Sequence, residues 1–180
     1  MRPETSVVIL RSRSNWPMTA ICAGTLCVTF QAGIANANHA CDLMTVSELE
    51  TVLGSPVAMK GAAPMASGKT EICTGQTPTA AVTLRLATGL NPDRDRSGSK
   101  EKAGLELFKN MGARVEVKRF GPIICSTIEP PEHMQTGFNT TCTVVKDTAV
   151  AGIEVTAKSR ADMVAIEKLH PLAEKMATRF

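Results

Sequence analysis

IICSTIEPPEHMQTGFNTTCTVVKDTAVAGIEVTA, residues 123–157, is the stretch on which the fold turns. Ile123 to Thr127 and Thr140 to Val145 carry the β-branched composition of strands, and each holds a cysteine, Cys125 and Cys142. Lys146, Asp147 and Thr148 form a turn, and Ala149 to Ala157 is a further strand, interrupted by Gly152. Between the first two strands lies a connector with Glu129, Pro130, Pro131 and Glu132 at its tip. A Cys125–Cys142 bridge would clamp this hairpin.

Reading towards the N-terminus, Val115 to Lys118 alternates apolar and polar and runs into Gly121 and Pro122, a turn or bulge. A helix is predicted from about Lys100 to Met111, with Ala103, Leu107, Phe108 and Met111 towards the core and Gly112 as its stop. Residues 91–99 are a polar break. Ala81 to Thr88 reads as a strand, with Val82, Leu84 and Leu86 on one face. Glu71 to Thr77 is another strand and carries Cys73, whereas Ala58 to Lys69 is a small-residue loop or weak strand. Thr45, Val46, Ser47 and Glu48 spell a capping box ahead of a short helix that buries Leu49, Val52 and Leu53. Gly54 and then Pro56 stop it. At the other end, a helix from about Ala161 presents Ala165, Leu169, Leu172, Met176 and Phe180 as one stripe, and Pro171 should kink or restart it. This order implies an α+β fold: an antiparallel sheet of about five strands with three helices packed on it.

The first forty residues set the compartment. Arg2, Arg11 and Arg13 precede a stretch from Asn15 to Ala40 with no Lys, Arg, Asp or Glu, and Ala35-Asn36-Ala37 is a small-x-small cleavage site. Residues 1–37 therefore read as a cleaved signal peptide and 38–180 as one domain. The apolar run is short for a membrane span, which takes roughly 20 apolar residues, so no membrane attachment is expected after cleavage. Without residues 1–37, 17 cations face 16 carboxylates. The basic character of the whole chain thus comes largely from the signal and gives no reason to expect nucleic acid. There is no Tyr, and the one Trp, Trp16, leaves with the signal, which disfavours base-stacking and sugar-stacking surfaces.

Cys41, Cys73, Cys125 and Cys142 remain. An even number in an exported chain implies two disulfides. Three pairings are possible, and Cys41–Cys73 with Cys125–Cys142 is favoured because each pair closes a local unit. Each bridge should contribute about 2–4 kcal/mol by restricting the unfolded chain.

Motifs that suggest chemistry have simpler readings. Residues 63–70 fit a permissive P-loop, but Pro64 interrupts it and Glu71-Ile72-Cys73 follows in place of a helix start. Asp93, Asp95, Ser97 and Gly98 copy half of a calcium loop. Its twelfth position is Gly104, and Arg94 and Arg96 oppose a dication. The cysteines and His133 lack the spacing of a zinc site, and the seven methionines after the signal are scattered, so no metal and no cofactor is expected. Three histidines, His39, His133 and His170, remain after cleavage, no Gly-x-Ser-x-Gly elbow is present and the thiols are spent in bridges, so no catalytic residue is assigned and an enzyme is not expected.

Cys41-Asp42-Leu43-Met44-Thr45, Glu48 and Leu53-Gly54-Ser55-Pro56-Val57, with Cys73 as the next cysteine, resemble the opening of small exported bacterial domains of unknown function. Several of those are lipoproteins, and this chain departs from them in lacking the lipid-attachment triplet before Cys41. Some resemble the Mog1/PsbP-like sandwich, a fold used for binding and accessory roles. The resemblance implies fold and compartment and transfers no catalytic residue.

The reading that follows is an exported non-enzymatic binding or accessory domain of the cell envelope. Its expected partner is another envelope or secreted protein, contacted by Ile128, Pro130, Pro131, His133 and Met134 at the stiffened tip. The alternatives are a small-ligand carrier or sensor with a pocket between sheet and helices, and an inhibitor or immunity protein of a secreted hydrolase. Intact mass before and after reduction checks the compartment and the staples together. The expected exported species starts near Asn38 and has no free thiol, whereas four alkylatable thiols before reduction would overturn the bridges.

Overall fold

The computed structural model describes residues 39–65, 69–90, 99–134 and 136–180. The chain divides into Met1–Ala32 and Gly33–Phe180, and every described residue belongs to the second unit. The export signal and the calcium-like motif lie outside the described residues.

The chain forms β1 (Ala58–Pro64), β2 (Thr70–Gln76), β3 (Ala80–Ala87), β4 (Arg114–Phe120), β5 (Ile123–Glu129), β6 (Phe138–Lys146) and β7 (Ala149–Ala157). The helices are α1 (Val46–Leu53), α2 (Ser99–Asn110) and α3 (Ile166–Ala177). Among the described residues the sheet has seven strands, not about five, in the order β1-β2-β3-β7-β6-β5-β4, with every pair antiparallel. The count rises because Ala58–Pro64 pairs with β2 across an irregularity between Met59 and Ala62, and because β4 is a full edge strand. Two meanders, β1-β2-β3 and β4-β5-β6-β7, are joined by the crossover that carries α2, and they meet along the β3–β7 seam. There Val82 faces Val155 and Leu84 faces Ile153. The strand pair flanking residues 66–68 also disposes of the P-loop reading, since β2 and not a helix follows.

The tight turns follow local chemistry. Gly121 at φ 59° opens the two-residue β4–β5 turn, and Asp147 at φ 49° does so between β6 and β7, where a short polar side chain tolerates the left-handed region. Gly152 does not break β7, which holds register with both neighbours through it.

One face of the sheet is covered by both ends of the chain. Val82, Leu84, Val144, Ile153 and Val155 share a buried core with Leu43 and Leu49 from the N-terminal segment and with Ile166, Leu169, Leu172 and Met176 from α3. Helix α3 runs unbroken through Pro171, and its buried face matches most of the expected stripe. Its start is different: Arg160–Asp162 is a separate 3₁₀ turn, and the helix begins at Ile166 after Ala165, not near Ala161. Buried Thr140 donates to the Val164 carbonyl at 2.6 Å and pins this lead-in to β6.

Helix α2 departs from the expectation. Ala103 and Leu107 are exposed, Leu107 by 58% and Phe108 by 36%, while Gly104, Leu105 and Met111 are the half-buried positions. The inward face is thus rotated by about one residue, roughly 100° of helix. With few apolar side chains and a charged surface, α2 gains little from any one orientation, and it contacts the sheet chiefly at the edge strand β4.

Both predicted bridges form, Cys41–Cys73 and Cys125–Cys142, with Cys125 and Cys142 directly opposite in the β5–β6 register. The capping box of α1 is complete, and Gly54 at φ 66° ends that helix. Beside the first bridge, Glu71 accepts from the Ala40 amide at 2.6 Å and contacts the His39 ring at 3.1 Å, and these bonds lower its pKa. At the far end of the chain, Arg179 grips Glu48 with two hydrogen bonds of 2.8 Å and donates to the Leu43 carbonyl at 2.9 Å.

The Arg179 hydrogen bond, helped by the Thr45 amide and hydroxyl and opposed by burial, holds the Glu48 carboxyl down to about 2. A carboxylate stabilised in the folded state binds its proton more readily when unfolded, so stability is lost as the pH falls. The contribution should be full above about pH 4.5 and vanish towards pH 2, a span of roughly 2–3 kcal/mol. Chemical denaturation between pH 6 and pH 2.5 should show this decline in the natural protein and a flatter one in Arg179→Met. Equal slopes in the two would overturn this account of the clasp.

Candidate functional site

A concavity of about 980 Å³ lies at one end of the sheet, beneath the connector between β5 and β6. Its walls come from the ends of four strands. Arg114 starts β4 and Glu129 ends β5 as cross-strand partners, while Phe138 starts β6 opposite Ala157 on β7. Ala81 of β3 and Thr156 of β7 lie beside them, and Lys158 and Arg160 follow β7. The connector supplies Pro130, Pro131, Glu132, Met134, Thr136 and Gly137.

Two glycines set this shape. Gly112, at φ 87°, ends the turn after α2, and a side chain there would stand 4.0 Å from Pro131. Gly137 lies against β7 so tightly that an added Cβ would collide with Thr156 Cγ2 and sit 2.9 Å from the Ala157 carbonyl oxygen. The connector can therefore return close over the sheet end only with glycine at 137.

The charges are unevenly matched. Arg160 pairs with Glu129 at 3.1 Å, so the carboxylate opposite Arg114 is already engaged. Arg114 has no hydrogen-bond or ion-pair partner among the described residues. Lys158 donates to the Pro78 carbonyl at 2.8 Å, which leaves its charge uncompensated. The uncharged lining mixes carbon surface from Pro130, Pro131, Met134 and Phe138 with Thr136 and Thr156.

The five residues expected at a protruding tip are divided. Pro130, Pro131 and Met134 are half-buried and line the cleft. His133 is exposed and Ile128 is half-buried opposite Asn139, and neither lines the cleft. The four cysteines lie in the buried core or beside it as staples. Of the other two histidines, His39 contacts Glu71, and His170 stacks on Phe120 with ring centroids 3.9 Å apart and lies 3.6 Å from Glu174; neither lines the cleft. The sequence reading missed Arg114, Lys158 and Arg160. Their only sequence signal is position: each is a cation flanking a strand end, and nothing local shows that those ends converge. A second, shallow depression of about 60 Å³ on the opposite face, lined by Thr83, Arg85, Thr141 and Thr143, is much smaller than ordinary ligand sites.

No family model and no curated protein matches the sequence. Among solved structures, the chain is similar to the extracellular domain of PknH from Mycobacterium tuberculosis. The TM-score is 0.52 at 14% identity, over 79% of this chain and 94% of that one. The likeness is one of fold. Among the described residues, no helix is long and apolar enough to cross a membrane.

Gly137→Ala tests the close return of the connector. The variant should lose about 1–3 kcal/mol of stability, because backbone and the Thr156 side chain both have to shift. Thermal melting measures this, and an unchanged midpoint would show that the connector does not rest on β7.

Proposed function

We propose that this chain is an exported, non-enzymatic binding domain of the bacterial cell envelope, and that its ligand site is the cleft beneath the β5–β6 connector. The observation that carries the reading is the cleft itself, whose volume of about 980 Å³ is at the upper end of small-molecule sites. It combines apolar walls with a few convergent charged groups. Rigid elements hold it: strand ends on three sides, and a connector fixed by two prolines and by the Cys125–Cys142 bridge at the strands' base.

Export is supported by the signal-like first 37 residues, the two disulfides, and the fold shared with a domain that is extracellular in its own protein. The resemblance of the opening Cys41-to-Val57 motif to exported bacterial domains agrees with this. A binding role is favoured over catalysis because His133 and His170 lie on separate elements and neither reaches the cleft lining. The inward turn of Pro130, Pro131 and Met134 favours a small ligand over a protein partner grasped by a protruding tip.

The test fills the cleft without touching the core. Ala81 is exposed and lines it, so Ala81→Trp should occupy the space and leave the melting temperature unchanged. The exported protein, incubated with a small-molecule extract of culture medium and examined by native mass spectrometry, should retain a bound compound that the variant does not. Nothing retained, or equal retention by the variant, rejects the cleft as the ligand site.

A further inference from the structure

We infer that the cleft takes a small organic anion: a carboxylate or a phosphate monoester carried on an apolar body. This deepens the ligand-site reading above and rests on it.

The charged groups argue for the anion. Arg114, Lys158 and Arg160 line the cleft against Glu129 and Glu132. Arg160 is committed to Glu129, which leaves Arg114 and Lys158 facing only Glu132, itself exposed. The excess is local, because the chain without residues 1–37 is nearly neutral. A guanidinium without an acceptor among the described residues, lining a concave site, presents a planar fork that matches the two oxygens of a carboxylate or phosphate. Lys158 adds a point charge that a neutral ligand would leave unused. Since Arg114 lies opposite Glu129 on the last β4–β5 rung, an entering anion would also meet the Arg160 side of the same cluster.

The carbon surface in the lining argues for the apolar body. Pro130 and Pro131 have no backbone N–H to offer, and Met134 and Phe138 add only carbon and sulfur surface. A polyhydroxylated ligand would find few partners there. An inorganic anion would leave most of the 980 Å³ to water. An anionic head at Arg114 with its chain along the prolines satisfies both kinds of lining.

Titration calorimetry on the exported, oxidised protein at low salt tests this with four probes: octyl phosphate, octanoate, octyl glucoside and inorganic phosphate, each below any micellar concentration. Octyl phosphate or octanoate should bind at least about tenfold more tightly than octyl glucoside, the scale of one charge-assisted contact. The tighter of the two identifies the head group. Arg114→Gln should remove that advantage with no change in melting temperature, and Lys158→Gln should reduce it. Raising the salt should weaken the two organic anions and leave octyl glucoside unaffected. Equal binding of octyl glucoside, or an Arg114→Gln variant that binds as the natural protein does, overturns the anionic head. Inorganic phosphate binding as tightly as octyl phosphate overturns the apolar body. If all probes bind alike and Ala81→Trp abolishes them all, the cleft stands and the anion falls. If no probe binds to the folded protein, the ligand class is overturned, while retention of an extract compound decides the cleft separately.

Discussion

Arg179, just beyond α3, reaches back to Glu48 and to the Leu43 carbonyl, and this joins the segment around α1 to α3 over one face of the sheet. Much else depends on that closure. Among the described residues, the 3₁₀ turn Ala40–Leu43, α1 and α3 cover the helix-bearing face, so the apolar rows of β3, β7 and β6 stay dry only while these segments remain seated. The Cys41–Cys73 bridge and the Ala40–Glu71 hydrogen bond hold the 3₁₀ turn to β2. Thr140 holds the lead-in to α3. Covalent, polar and apolar fastenings thus act on the same layer. That suits a domain of this size, whose single core leaves a modest margin of stability.

The cleft arises because this cover is shorter than the sheet. Thr140 and Val164 mark where the α3 lead-in crosses β6, and the next pairs outward, Phe138 with Ala157 and Arg114 with Glu129, lie at the sheet's end. The β5–β6 connector folds back over that end in place of a helix. Its approach is fixed from both sides, by Gly137 against β7 and by Pro131 against Gly112. The meander geometry also explains why cations gather there. β4 begins, β5 ends and β7 ends at the same edge of an all-antiparallel sheet, so residues 114, 129 and 158–160 become neighbours although far apart in sequence.

Much of the local structure was legible in the sequence. Thr45 and Glu48 spelled the cap of α1, Gly54 its end, and Leu169, Leu172 and Met176 the buried stripe of α3, because these signals act within a turn or two of the chain. The weak strand at Ala58–Pro64, rich in small residues, carried little period-two signal, and β4 extends beyond the alternating Val115 to Lys118 that marked it. The inward face of α2 was misjudged because Ala103, Leu105, Leu107 and Phe108 spread around the helix and define no single stripe. The prolines and Met134 stood out as the tip of a hairpin, but their direction, into a cleft instead of outwards, depends on distant residues such as Gly112 and Thr156.

The sequence by itself determined the elements held by local physics: the capped helix α1, glycine and Asp147 turns, and an even set of cysteines whose partners lie close enough to close local loops. Only the tertiary structure decided the β3–β7 seam, the helical layer on a single face, and the gathering of Arg114, Glu129, Lys158 and Arg160 around one cavity. Antiparallel pairing across more than sixty residues is chosen by which apolar faces can be buried together, as Leu84 and Ile153 are. That is a property of the assembled sheet and of no segment within it.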